Sequence, residues 1–411
     1  MEVRPGYKQT EVGVIPEEWG ISTVGNEFEI KLGKMLDAER NAGAPKPYLG
    51  NKAVQWGQID ISDLPTVPMS RADIEKYRLQ EGDLLVCEGG EVGRAAIWKA
   101  PIPECYYQKA LHRLRPLQGF NSIIMIALLR QWADCGVLKN YVTQTSIAHL
   151  PREKFMEVPI PIPSVEEQRA IATALSDVDA LLDGLNRLIA KKRDLKQAAM
   201  QQLLTGQTRL PGFSGGWEMR RLGEIADIRS GGTPSTGDAA AWDGDIQWCT
   251  PTDITALAGK KYLYETNRRI TEHGLKTSSA ELIPARSVVM TSRATIGECA
   301  INTVPVTTNQ GFKNFAPSDV VDVEFLYYLL QTQKQGFISL CGGSTFLEIG
   351  KGQLREYEIF IPKAKAEQTA IASILSDMDA ELTALEARLT KTRALKQAMM
   401  QELLTGRIRL L

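Results

Sequence analysis

Apolar residues recur at alternating steps of four and three along two stretches of the chain that lie two hundred residues apart. The first stretch carries Ile171, Leu175, Val178, Leu182, Leu185 and Ile189; the second carries Ile371, Leu375, Met378, Leu382, Leu385 and Leu389. That spacing holds one apolar seam on one helix face, so each stretch predicts a long amphipathic helix of coiled-coil type. Upstream, the prolines of residues 158–163 bar a helix, and Ser164 with Glu167 then supplies capping-box spacing, which places the first helix start near Ser164. It runs toward Leu204 and ends at Thr205-Gly206, with Thr405-Gly406 at the matching place, where glycine can take the left-handed conformation. A helix of about 40 residues rises roughly 60 Å. Such a seam needs a partner, and the expectation is that the two helices bury it against each other as an antiparallel coiled coil with pseudo-two-fold symmetry.

The resemblance between the two stretches goes beyond their apolar pattern. Residues 167–210 align without a gap to residues 367–410, and 26 of the 44 positions are identical. Shared helical periodicity alone does not produce that identity, so the chain is two halves on one plan. Each half pairs a variable region with a near-constant helical block, giving expected domains at 1–157, 158–210, 211–357 and 358–411.

The variable regions also align in part. Residues 82–97 and 286–301 match in pattern, with Gly93 opposite Gly297 in a turn between short strands; Trp19 and Val24-Gly25 stand opposite Trp217 and Leu222-Gly223. Short β-type runs such as 287–290 and 358–361, one late helix per region near 122–138 and 323–340, and frequent turn signals make the class α+β, with a common fold in both regions. A bipartite binder on a fixed spacer suits this layout.

Composition narrows the function classes. The 411 residues are 43% apolar and 24% charged, as in soluble globular proteins. The longest apolar run, residues 123–129, is too short for a membrane span and the first residues lack a signal-peptide core, so a cytoplasmic protein is expected. Cys87, Cys105, Cys135, Cys249, Cys299 and Cys341 stand singly, and His112, His149 and His273 lack ligand spacing; no metal is expected. The net charge of −1 means that any nucleic-acid surface must be segregated or completed by partners. Basic clusters around Arg187–Lys196 and Arg388–Lys396 read mainly as solvated helix faces.

Catalytic constellations are missing from the sequence. Gly232–Gly237 has phosphate-loop glycine spacing, but Asp238 occupies the place of the phosphate-binding lysine. Gly89-Gly90-Glu91-Val92-Gly93 has the wrong spacing for a dinucleotide loop, and glutamates flank it. Neither a GxSxG elbow nor the Asn-Pro-Pro-aromatic signature of amino-methyltransferases occurs, so the chain is expected to bind and organise.

The order of these parts resembles the DNA specificity subunit of type I restriction-modification systems, over essentially the whole chain. The most specific carriers are Ile162-Pro163 with Glu167-Gln168, Leu203-Leu204-Thr205-Gly206, and the second set Ile361-Pro362 with Glu367-Gln368 and Leu403-Leu404-Thr405-Gly406. Marks of the family's target-recognition domains are Ile15-Pro16-Glu17-Glu18-Trp19 and the Glu88–Arg94 turn, then Ser230-Gly231-Gly232-Thr233-Pro234, Ser292–Gly297, Thr308–Phe312 and Gly343–Phe346. Tyr107-Gln108-Lys109-Ala110 is a weaker counterpart of the Asn309-Gln310 element.

The resemblance implies that each variable region reads one half of a split, asymmetric double-stranded DNA target, while the helices set the gap. It implies docking of two DNA adenine methyltransferase subunits and, in the complete enzyme, two restriction/translocase subunits. S-adenosylmethionine and ATP with magnesium would then bind on those partners and not here. Polar residues on turns are the natural readers of base edges: Arg94, Gln108 and Lys109 in the first region, and Arg229, Thr233, Arg293, Asn309, Gln310, Ser344 and Thr345 in the second. Arg94 and Arg293 stand out, since arginine can bond guanine bidentately and each lies beside a glycine turn. For every candidate a turn-stabilising role competes with base contact. The competing class is a two-headed protein-binding scaffold on a coiled coil, with no DNA partner.

Overall fold

The structure, a computed structural model, describes residues 4–37, 41–144, 148–341 and 347–410. It divides into two compact units, residues 1–186 with 387–411 and residues 187–386. The division falls inside the long helices, Val165–Leu203 and Lys365–Leu403, each of 39 residues. Each unit therefore combines one variable region, the opening half of one long helix and the closing half of the other. The ends of these helices follow local chemistry: Ser164 Oγ accepts from the Glu167 amide at 3.2 Å, and Gly206 and Gly406 turn the chain at φ +72° and +65°.

Within each unit the helix halves run antiparallel. In the first, Asp179 meets Lys396 at 2.5 Å and Glu167 meets Arg409 at 2.6 Å. In the second, Lys192 meets Glu381 at 2.7 Å and Lys196 meets Asp379 at 2.5 Å, so partner numbers fall as positions rise. The apolar seam is less uniform than the heptad pattern predicts. Leu185, Ile189 and Leu389 are buried, and Val178, Leu182, Met378, Leu382 and Leu385 are half-buried. Ile171 and Leu175 lie in the core of the first unit with Trp19, Phe28 and Leu128, joined there by Leu403 and Leu404. Ile371 and Leu375 take the same place in the second unit with Phe325, Leu326 and Leu204. The opening turns of each helix are thus part of a globular core, because a domain presents more apolar area there than one helix could.

The variable regions share a sheet plan. In the first unit an antiparallel sheet orders Ala95–Ile97, Leu84–Cys87, Leu111–Pro116 and Phe28–Leu32. In the second, Cys299–Asn302, Val288–Thr291, Phe312–Pro317 and Ala226–Ser230 repeat that order, and Tyr262–Leu263 adds a parallel edge. A second, three-stranded sheet completes each region: Tyr106–Tyr107, Ala44–Leu49 and Thr66–Met69 in one, Arg268–Ile270, Trp242–Cys249 and Val306–Thr308 in the other. The hairpins expected around Gly93 and Gly297 are present, with both glycines left-handed at φ +84° and +87°.

The late helices also form. Ser122–Cys135 is capped by Asn121 and ends at Gly136, followed by the short turn Val137–Asn140. The single helix expected near 323–340 is instead two, Val323–Thr332 and Lys334–Ser339. At the break the Gln333 carboxamide accepts from Tyr357 at 3.0 Å, and Phe337 is buried with its ring 5.0 Å from that of Tyr357. Periodicity carries no signal of this tertiary contact.

Candidate nucleic-acid interface

Backbone hydrogen bonds set the loops of the two units in register. In the second unit Gly232 N donates to Thr308 O at 2.8 Å, Asn309 N to Cys249 O at 3.0 Å, Ser292 N to Gly311 O at 2.7 Å and Ile349 N to Ser292 O at 3.1 Å. In the first, Lys34 N donates to Tyr107 O at 2.9 Å, Gln108 N to Leu49 O at 3.0 Å, Glu88 N to Ala110 O at 3.0 Å and Leu150 N to Glu88 O at 2.8 Å. Gln108 therefore stands for Asn309, Lys109 for Gln310, Gly89 for Arg293 and His149 for Glu348. Four loop segments meet at this place in each unit. They meet so closely that a Cβ on Gly231 would lie 1.8 Å from the Asn309 carbonyl, and one on Gly33 2.3 Å from that of Gln108.

In the second unit this convergence joins four of the sequence candidates. The Thr233 hydroxyl bonds the Gln310 side-chain carbonyl, and Gln310 is exposed. Asn309 Oδ1 accepts from the Gly311 amide at 2.9 Å, which shapes the turn. Arg293 is 46% exposed and pairs with Glu348 at 2.9 Å. Beneath them Lys313 is buried, 3.5 Å from Ser292 Oγ and 3.7 Å from Glu348, and burial pushes its ammonium pKa down. Arg229 lies on the adjoining strand, held by Asp227 at 2.8 Å and the Leu282 carbonyl at 3.1 Å. Ser344 and Thr345 lie outside the described residues.

The first unit uses its candidates differently. Arg94 is only 15% exposed, paired with Glu91 at 3.3 Å and donating to the Asn51 carbonyl at 2.9 Å. These contacts brace the glycine turn from within. Arg94 is not the counterpart of Arg293: Cys87 N bonds Arg94 O as Thr291 N bonds Glu298 O, so Arg94 matches Glu298. Lys109 is exposed and Gln108 half-buried. The buried Glu88 meets His149 at 2.7 Å; burial pushes its carboxyl pKa up, against the pull of His149 and Lys109.

From sequence Glu167 had only a helix-capping place and Arg209 and Arg409 were unmarked; here the glutamates and arginines form a clasp in each unit. Glu167, fully buried, takes Arg409 at 2.6 and 3.0 Å and the Trp19 indole at 2.9 Å. Glu367 takes Arg209 at 2.6 and 2.8 Å and the Trp217 indole at 3.3 Å. Gln168 and Gln368 accept from the amides of Asn121 and Asp322, at 3.1 and 2.9 Å, and so anchor the late helices. Their identity in the duplicated blocks was the available signal.

A family model described as the type I restriction modification DNA specificity domain matches residues 16–192 and again 214–393. Among curated relatives, the type I restriction enzyme MjaIX specificity subunit of Methanocaldococcus jannaschii is 41% identical over 167 residues, 40% of this chain and 38% of that protein. That similarity thus spans less than half of the relative. The MjaVIII specificity subunit of the same organism is 24% identical over 419 residues, covering 96% of this chain and 94% of that protein. The EcoR124I/EcoR124II specificity subunit of Escherichia coli is 27% identical over 58% of this chain and 60% of its own length. Among solved structures, the S subunit of a type I system from M. genitalium aligns over 98% of both chains with a TM-score of 0.57 at 16% identity. A structure concerned with complex assembly of the type I R-M system aligns over 96% of this chain and 99% of that one, with a TM-score of 0.63 at 18% identity. At such identities the likeness is one of fold.

Proposed function

This chain belongs to the type I restriction modification DNA specificity family, and from that premise we propose that it is the DNA-reading subunit of a type I restriction-modification complex, each unit reading one half of a split, asymmetric target. The observation that carries the reading is the loop convergence: one backbone register bears different side chains in the two units. Gly89 stands against Arg293, Lys109 against Gln310, Lys34 against Gly232 and His149 against Glu348. Equal scaffolds with unequal polar edges suit two different short sequences, since base edges are read by side chains and register is set by phosphate contacts.

The chain supplies recognition, and chemistry falls to its partners. Two adenine methyltransferase subunits dock on the near-identical helical blocks, because two identical partners need two equivalent surfaces. They bring S-adenosylmethionine; two restriction/translocase subunits bring ATP and magnesium. The near-neutral charge fits a subunit whose grip on DNA is completed by the assembly. No helix among the described residues is long and apolar enough to cross a membrane; a role on genomic DNA calls for a cytoplasmic protein.

The test is mapping of methyladenine in cells that carry the chain with and without its methyltransferase subunit. A split asymmetric motif methylated only when both are present is the expected result. Absence of any motif despite an active partner complex would reject the reading and leave the two-headed protein scaffold in its place.

A further inference from the structure

The glycine-rich loop of residues 230–237 rests on two tryptophans that the sequence did not mark. The Trp248 indole donates to the Gly232 carbonyl at 2.9 Å and the Trp242 indole to the Ser235 carbonyl at 3.0 Å. The rings meet edge to face with centroids 4.9 Å apart, and both are buried. Over them lies Arg268, its guanidinium carbon 3.8 Å from the Trp242 ring centre and 5.2 Å from that of Trp248. Arg268 is exposed, sits directly across the strand pair from Trp248, and has no carboxylate partner among the described residues.

The two arginines of this unit named as candidate readers from sequence each have an acidic partner: Arg229 has Asp227 and Arg293 has Glu348. Arg268 is neutralised by none and is positioned by aromatic faces. Stacking occupies the flat faces of a guanidinium and leaves the donors on its edge free, with rotamer freedom already removed. Backbone strain is spent on the same arrangement. The strand Trp242–Cys249 bulges so that Trp242 and Ile246 both register with Ile270, and Asp243 within the bulge takes φ +58°. The bulge begins at Trp242, whose ring lies nearest Arg268.

We propose that Arg268 is a base-reading residue of the second unit, bonding guanine through its fork, with Trp242 and Trp248 as positioning residues that tie it to the Thr233 loop. The proposal rests on the DNA-reading function above. A phosphate contact needs only charge and tolerates a mobile lysine; a guanine contact needs a planar fork held in place, which the Trp242 face, with the Trp248 ring set nearly perpendicular beside it, helps to supply.

The test uses the full chain in complex with its methyltransferase subunits, with methylation mapped over a randomised site library for wild type, Arg268→Ala and Arg268→Lys. Both variants are expected to lose about tenfold in discrimination at one G·C pair of one half-site, with the other half-site unchanged and the melting temperature of Arg268→Lys equal to wild type. Wild-type discrimination at every position in Arg268→Lys would overturn the proposal. So would an even loss across all sites with unchanged preference and unchanged melting, the mark of a phosphate contact. Should Arg268→Ala fail to fold, Arg268→Lys decides alone. If the wild-type complex shows no split motif, the DNA-reading function itself fails; a wild-type motif left intact by the variants removes only the Arg268 assignment.

Discussion

Arg94 gives its guanidinium to Glu91 and the Asn51 carbonyl, while Arg293 stands nearly half exposed beside Glu348. Arg94 follows the left-handed Gly93 and Arg293 opens the turn that reaches the left-handed Gly297, and neither local sequence says which guanidinium is held inward. Arg293→Ala is expected to cost about 1–3 kcal/mol of discrimination at one half-site, read by competition binding with base-substituted duplexes. Arg94→Ala should instead lower the melting temperature. His112 carries a pH prediction. It is buried, its Nε2 lies 2.9 Å from the Leu150 carbonyl, and burial pushes its pKa down to about 4. A lowered histidine pKa means that the unfolded chain binds the proton first. Stability from this residue is thus complete above about pH 6.5 and lost as pH falls toward 4, by at most about 3 kcal/mol. Denaturant titrations at pH 7.5 and 5 should show the loss in wild type and a smaller one in His112→Gln.

The long helices were legible because a repeated apolar step, a proline stop and a glycine end all agree on the same 39 residues. Their burial was only half legible: Ile171 and Leu175 obey the heptad yet serve a domain core, since periodicity names the buried face and not what covers it. The clasps show the same limit. Glu167 and Arg409 lie 242 residues apart in sequence, so no local pattern joins them. Removing the arginine leaves a buried carboxylate unpaired, and Arg409→Ala or Arg209→Ala should each destabilise its unit by about 3 kcal/mol, measured by chemical denaturation. Gly231→Ala tests the loop junction. Its Cβ would collide with the Asn309 carbonyl, so methylation should fall at one half-site while the other is still read, and equal loss at both would refute separate reading.

At the scale of the whole molecule, duplication implies two readers and the helices a spacing. Inserting one heptad into each long helix adds about 10 Å at 1.5 Å per residue, or about three base pairs at 3.4 Å. The methylated motif should widen its gap by that amount while both half-sites keep their bases. A motif with its original gap would refute the helices as a ruler. The net charge of −1 also makes a prediction: binding by the chain alone should be weak and less salt-dependent than that of the complex, and titration calorimetry at several salt concentrations with and without the methyltransferase subunit measures the difference.

The sequence alone determined the duplicated plan, the two long helices, the α+β class and the glycine turns, because these rest on local periodicity and backbone sterics that a few neighbouring residues settle. Tertiary structure alone decided that each unit is closed by halves of both helices, that Glu167 and Glu367 are clasp centres, that Arg94 is a brace, and that Arg268 lies over two buried indoles. Those outcomes depend on which distant surfaces meet, and on the desolvation that makes each meeting favourable or costly.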